Sequence, residues 1–123
     1  VNDEAIEEIP VWQMINMQPS QLSLRVDLWI KNIKHNVKKE KGFSKIGGGT
    51  MPNAELDTFL LSLKIPHITP ETIKKELRLL KSPIIARISN EKVLFDPRTI
   101  PSTQDKHLIR SINNLNKKLQ LKK

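Results

Sequence analysis

Ser44-Lys45-Ile46-Gly47-Gly48-Gly49-Thr50-Met51-Pro52 holds three of the four glycines of this 123-residue chain, and Gly42 stands just upstream. Ordering a glycine run costs backbone entropy, so a fold keeps one where the main chain needs φ > 0 or where a neighbour leaves no room for a Cβ. Two readings are open: a tight connection between a helix and a strand, or a wall of a binding site. A P-loop is excluded because no Gly-Lys-Ser/Thr follows, and a dinucleotide fingerprint because no G-x-G-x-x-G spacing is present.

Upstream of the glycines, Ile9-Pro10-Val11-Trp12 reads as extended, since the residue before a proline is pushed out of the helical region. Met14, Ile15 and Met17 suit a short helical turn. Pro19 then suits the first position of a longer helix behind Gln18. Leu22, Val26, Trp29, Ile30, Ile33 and Val37 recur at intervals of three and four, which predicts one apolar stripe. Lys31, Lys34, Lys38 and Lys39 lie off that stripe toward the C-terminal end of the dipole, and Gly42 reads as the stop.

Downstream, residues 57 to 64 alternate loosely and favour a strand. Thr69-Pro70-Glu71 is a helix start with a hydroxyl cap, proline in the first turn and a carboxylate beside the dipole; Ile73, Leu77 and Leu80 form its stripe and Ser82-Pro83 ends it. Ile84 to Ile88 and Lys92 to Asp96 are apolar runs around the polar turn Ser89-Asn90-Glu91, the pattern of a β-hairpin. Ser102 or Thr103 caps a last helix carrying Leu108, Ile112, Leu115 and Leu119. The expected architecture is α+β: a small antiparallel or mixed sheet covered on one face by helices. Residues 9–119 form one domain in this reading. Residues 1–8 are the disordered or extended end of an upstream domain, since Val1 is not an initiator methionine, and residues 120–123 are a basic tail.

The chain has no cysteine and only five aromatic residues. That removes disulfides, thiol nucleophiles and cysteine metal sites, and it suits a reducing compartment such as the cytoplasm. No apolar run approaches the roughly 20 residues of a membrane span. The net charge of +8 is uneven: Asp3, Glu4, Glu7 and Glu8 leave nine acids against 21 bases from residue 9 onward, a charge of +12. Such an excess attracts RNA, an acidic chain or a phosphorylated substrate. A basic RNA-binding module is therefore one class of function to test, although no aromatic residues interleave with the lysines as stacking platforms.

His35, His67 and His107 are far apart and lack a second ligand at helical spacing, so no metal site is expected. Asp57 and Asp96 are lone carboxylates suited to turns and caps. Arg87 stands out inside the apolar run Ile84-Ile85-Ala86-Arg87-Ile88. It is either an exposed residue of an edge strand or a paired, anion-binding guanidinium. Arg98, after Asp96-Pro97, reads most simply as the partner of Asp96 in an ion pair bracing the turn.

Ile9 to Ile15, Ser44 to Pro52, Pro83 to Ile88 and Val93 to Thr99 occur in an order and spacing that resemble the C-terminal part of the L-seryl-tRNA(Sec) selenium transferases, the bacterial selenocysteine synthases. The resemblance spans about Glu8 to Leu115. It implies the small C-terminal domain of a fold-type-I pyridoxal-phosphate enzyme that converts seryl-tRNA(Sec) to selenocysteyl-tRNA(Sec) with selenophosphate. It also implies that the cofactor lysine lies in a large central domain and most tRNA recognition in an N-terminal one, so that this chain alone is inactive. A homo-oligomer is expected at full length, with no metal and no membrane. Arg87, Gly47, Gly48, Gly49 and Thr50 are the candidates to face substrate or an anion, and Asp96 and Arg98 to hold a turn. The related ammonia-lyases acting on phosphorylated amino sugars share much of this domain and stay open as the alternative.

Overall fold

The computed structural model describes residues 9–45 and 55–120. Its elements are α1 (Val11–Asn16), α2 (Pro19–Asn32), β1 (Val37–Lys45), β2 (Glu55–Leu63), α3 (Pro70–Arg78), β3 (Arg87–Ser89), β4 (Lys92–Phe95) and α4 (Asp105–Gln120), with a single 3-10 turn at Ser102–Gln104. The four strands make one sheet in the order β1-β2-β4-β3, and every pairing is antiparallel. The fold is the two-layer α+β domain expected, with the sheet wholly antiparallel.

Local chemistry explains most of the elements. Thr69 caps α3, its hydroxyl accepting from Thr72 N–H at 3.2 Å, with Pro70 behind it and Glu71 in the first turn. β3 and β4 meet at a turn in which Asn90 and Glu91 both have positive φ, 51° and 63°. That is the primed two-residue geometry whose twist matches a hairpin. Pro10 itself stays extended, but its carbonyl accepts from Gln13 and Met14 N–H, so the helix begins already at Val11 and the extended reading of Val11-Trp12 is corrected. Ser102 and Thr103 lie within the 3-10 turn rather than at the start of α4, which begins at Asp105.

The larger correction concerns residues 33 to 45. They were expected to prolong α2 to Gly42, yet the helix ends at Asn32, and Val37–Lys45 is a strand paired along its whole length with β2, from Val37↔Leu63 to Lys45↔Glu55. Two asparagines of α4 close the helix. Asn113 Nδ2 donates to the Asn32 carbonyl at 3.0 Å, and its Oδ1 accepts from Lys34 N–H at 3.0 Å. Asn116 Nδ2 donates to the His35 carbonyl at 2.8 Å, and its Oδ1 accepts from Asn36 Nδ2 at 3.0 Å. Asn36, at φ 72°, turns the chain back into β1. Of the lysines read as helix-terminal cations, Lys31 does lie in the last turn of α2 and Lys34 in the connection, whereas Lys38 and Lys39 lie on an edge strand, where charge discourages pairing with another sheet. Gly42 is inside β1, and a Cβ there would sit 2.4 Å from Leu60 Cδ1. The glycine admits that leucine rather than stopping a helix.

The helices cover one face. Val26 and Trp29 of α2, Ile73 and Leu77 of α3, and Leu108 and Ile112 of α4 pack on Leu61, Leu63, Val93 and Phe95. Trp29 is fully buried; its Nε1 donates to Asp105 Oδ1 at 2.9 Å, and the Arg25 guanidinium lies 5.1 Å from the ring centroid. The indole thus fills the core and satisfies its one donor at the start of α4.

Candidate functional site

Strand alternation puts the polar residues together on the other face. Because Leu61, Leu63, Val93, Phe95 and Ile88 face the helices, Thr58, Leu60 and Ser62 of β2, Lys92 and Leu94 of β4, Asp96 just beyond it, and Arg87 of β3 face away from them. Glu40, Gly42 and Ser44 of β1 complete this face.

Arg87 starts on one edge strand, and its Nη2 donates to the carbonyl of Phe43 on the opposite edge strand at 2.5 Å. In a flat sheet three strand spacings amount to about 14 Å. No arginine side chain bridges that, so the sheet curls until its edges approach. Lys92 makes a second cross-sheet link, donating to Glu40 Oε2. Glu40 is held below the ordinary glutamate range, first by that hydrogen bond and then by the Ser62 hydroxyl and the charges of Lys92 and Lys38, against an opposing push from burial.

Asp96 is buried beneath the Arg87 arch. Its Oδ1 accepts from Thr58 Oγ1 and from Arg98 N–H, each at 3.0 Å. Its Oδ2 is buried with no hydrogen-bond donor, and Arg87 Nη1 stands 4.0 Å away. One N–H of Arg87 is on Phe43, while about a third of the side chain is in solvent. A guanidinium with spare donors beside a fixed carboxylate can accept an anion without leaving its seat. A small cleft of about 170 Å³ lined by Ile85, Ala86, Arg87, Leu94, Asp96 and Thr99 adjoins it.

Arg98 is placed differently. It is 2% exposed, and its guanidinium donates to Ser44 Oγ, to the carbonyls of Met14 and Met17, and to the carbonyl of Asp57. Its link to Asp96 runs through the backbone N–H. Burial pushes the guanidinium below its usual range, and the carboxylates of Asp96 and Asp57 pull it back up. With its guanidinium donating to four acceptors in three segments, Arg98 joins α1, β1 and β2 to the turn after β4.

Gly47, Gly48, Gly49 and Thr50 lie outside the described residues. The histidines are not brought together: His107 Nε2 pairs with the Ser82 carbonyl, and His67 sits in a turn at φ 68°. Among the described residues no group of three His, Asp or Glu could hold a metal ion, and no helix is long and apolar enough to cross a membrane. The Lys92–Glu40 link and the ring of carbonyls around Arg98 had no counterpart in the sequence reading. An arginine within the buried run from Val93 to Arg98 was the available signal for the second.

A curled antiparallel sheet with three helices on one face and an arginine-spanned polar face on the other defines a small two-layer α+β domain. The model of the L-seryl-tRNA selenium transferase family matches residues 1–101, and this chain belongs to that family. Similar curated proteins include the L-seryl-tRNA(Sec) selenium transferases of Clostridium botulinum strain Hall and Clostridium perfringens strain 13. Each is 35% identical over 102 residues, which cover 79% of this chain and 22% of the relative. The aligned region thus spans about a fifth of the length of those relatives.

Proposed function

We propose that this chain serves as the C-terminal small domain of a pyridoxal-phosphate-dependent selenium transferase, a cytoplasmic enzyme converting seryl-tRNA(Sec) to selenocysteyl-tRNA(Sec) with selenophosphate. The family match over residues 1–101 carries this reading. In it the domain forms one wall of the active-site cleft and contributes contacts within a homo-oligomer. The chemistry is done by parts of the enzyme outside these residues, and the chain alone has no transferase activity.

The residues described here do not themselves fit pyridoxal phosphate. That cofactor is carried on a lysine, and each lysine with a described side chain is exposed or half-buried rather than enclosed. The buried guanidinium, Arg98, already donates to four acceptors of the protein itself. No step through the cofactor is therefore assigned to this chain.

Arg87 is the residue given to the substrate side. Seryl-tRNA is esterified and offers no free carboxylate, so the guanidinium's role is to position an anion, with phosphate-like oxygens suiting its fork. Asp96 seats it from below and Arg98 fixes the turn, while Gly47, Gly48, Gly49 and Thr50 keep the substrate-facing role that the resemblance implies.

The test is a chimera in which residues 1–123 replace the matching segment of the Clostridium botulinum enzyme, assayed for selenocysteyl-tRNA formation. Turnover in the chimera is expected, with Arg87→Ala lowering it far more than it lowers the melting temperature. A chimera that assembles at the size of the parent enzyme yet is inert would overturn the reading. Equal loss of turnover and stability in Arg87→Ala would make that residue structural only.

A further inference from the structure

The sequence left a charge of +12 from residue 9 onward without a location. Five of the acids are matched to bases: Asp105 to Arg25, Asp27 to Lys39, Asp96 to Arg87, Glu40 to Lys92 and Glu76 to Lys118. On α4 the residues Lys106, Arg110, Asn113 and Lys117 follow at spacings of four, three and four, so they share one face of the helix. All three bases are exposed. The row is about 16 Å long at about 1.5 Å per residue.

That face borders a groove between α2 and α4 of about 960 Å³, floored by Leu28 and Ile109 and edged by Lys106, Arg110, Asn113 and Asn114. Lys34 joins the same surface, its backbone N–H being held by Asn113 Oδ1. The acids of these two helices are not free to neutralise it. Asp105, the one acid of α4, accepts from Arg25 at 2.7 Å and from Trp29 at 2.9 Å, while Asp27, the one acid of α2, is paired with Lys39 of β1. On α3, by contrast, Glu71 and Glu76 stand among Lys74, Lys75 and Arg78.

We propose that the Lys106–Arg110–Lys117 face of α4, with Lys34 at its end, is an RNA-backbone contact surface. A straight row of bases left without carboxylate partners among the described residues, with the exposed Asn114 amide beside it, matches the groups that hydrogen-bond phosphate and ribose oxygens. The surface carries no aromatic platform, so it should read backbone charge and not base identity. The family match ends at residue 101, ahead of all three bases of α4. The proposal rests on the reading above in one respect only, that the enzyme's substrate is borne on an RNA.

The experiment is fluorescence anisotropy of a labelled tRNA transcript against the 123-residue chain at increasing salt. Four phosphate contacts predict a slope of log K against log salt of about −3 to −4. The exposed triple variant Lys106→Ala, Arg110→Ala, Lys117→Ala should weaken binding at least tenfold and flatten the slope by about 2 to 3. The matched control triple, Lys75→Ala and Arg78→Ala of α3 with Lys81→Ala just beyond it, should leave the slope unchanged, with circular dichroism showing both variants folded. Equal effects of the two triples would overturn the surface, as would displacement of the tRNA by polyglutamate of equal charge. An inert chimera with intact, α4-dependent tRNA binding would count against the enzyme reading alone. An active chimera with the two triples equal would count against this surface alone.

Discussion

Arg98 Nε donates to Ser44 Oγ at 2.9 Å with both residues out of contact with water, across 54 positions of sequence. The bond belongs to a set in which one guanidinium satisfies a β1 hydroxyl, two carbonyls at the end of α1 and a carbonyl of β2. Removing the guanidinium strands those acceptors and leaves a large void. Arg98→Ala should therefore lower stability by roughly 3–5 kcal/mol, the range for breaking a buried charged network. Arg98→Lys keeps the charge but loses the planar fork, and should fall between wild type and alanine. Urea unfolding checks both; a loss under about 1 kcal/mol for alanine would show that the carbonyls find other donors.

Gly42 and Leu60 should be energetically coupled. A methyl group on Gly42 would meet Leu60 Cδ1 at 2.4 Å, and Leu60 is itself buried. Alanine gains a little strand propensity over glycine, but the displaced leucine should outweigh it, giving a net loss of about 1 kcal/mol or more in Gly42→Ala. Leu60→Val makes room for the new methyl group. A double-mutant cycle should return a favourable interaction of at least about 0.5 kcal/mol; strict additivity would mean the backbone moves instead.

At the β3–β4 turn Glu91 holds φ 63° and is exposed. A left-handed non-glycine residue is strained by roughly 1–2 kcal/mol, and the relief of that strain is partly offset by the greater chain entropy that glycine loses on folding. Glu91→Gly should stabilise the domain by about 0.5–1 kcal/mol, creating the Asn-Gly pair favoured in such turns. Thermal unfolding would show a higher melting temperature, and a lower one would place the strain elsewhere.

These sites also show how far the sequence could be read. α3 and the hairpin were legible because their signals are local: a cap, a proline and a carboxylate for one, two apolar runs around a polar pair for the other. β1 was not, because Val37–Lys45 carries one aliphatic residue, one phenylalanine and four lysines, and its lysine spacing looks like the solvent face of a helix. Its strand state comes from β2 beside it and from Asn113 and Asn116, which end α2 from some 80 residues away. The acceptors around Arg98 lie 41 to 84 positions away and leave no local pattern. Arg87 stands out by a charge interrupting an apolar run, which marks a residue that the fold must seat, whereas Phe43, its seat, is 44 positions away and carries no local sign of that contact.

The Lys92–Glu40 link makes a pH-dependent contribution whose sign follows from the direction of the Glu40 shift. Because the folded state holds this carboxyl below its ordinary value of about 4.3, the unfolded chain binds its proton first as pH falls. The stabilisation is therefore complete above the unfolded value and disappears as pH drops through the folded one. Both side chains are roughly a quarter to a third exposed, which limits the pair to about 0.5–1 kcal/mol. In Lys92→Met the largest cause of the shift is gone while burial still pushes upward, so Glu40 should titrate higher than in wild type. Carboxyl-detected NMR titration reads that shift directly. Urea unfolding from pH 7 to 3 should show a stability gap between wild type and Lys92→Met that is open at neutral pH and closes below about pH 4. A gap that stays constant over that range would mean that the lysine stem packs against the sheet, and that its charge does nothing for Glu40.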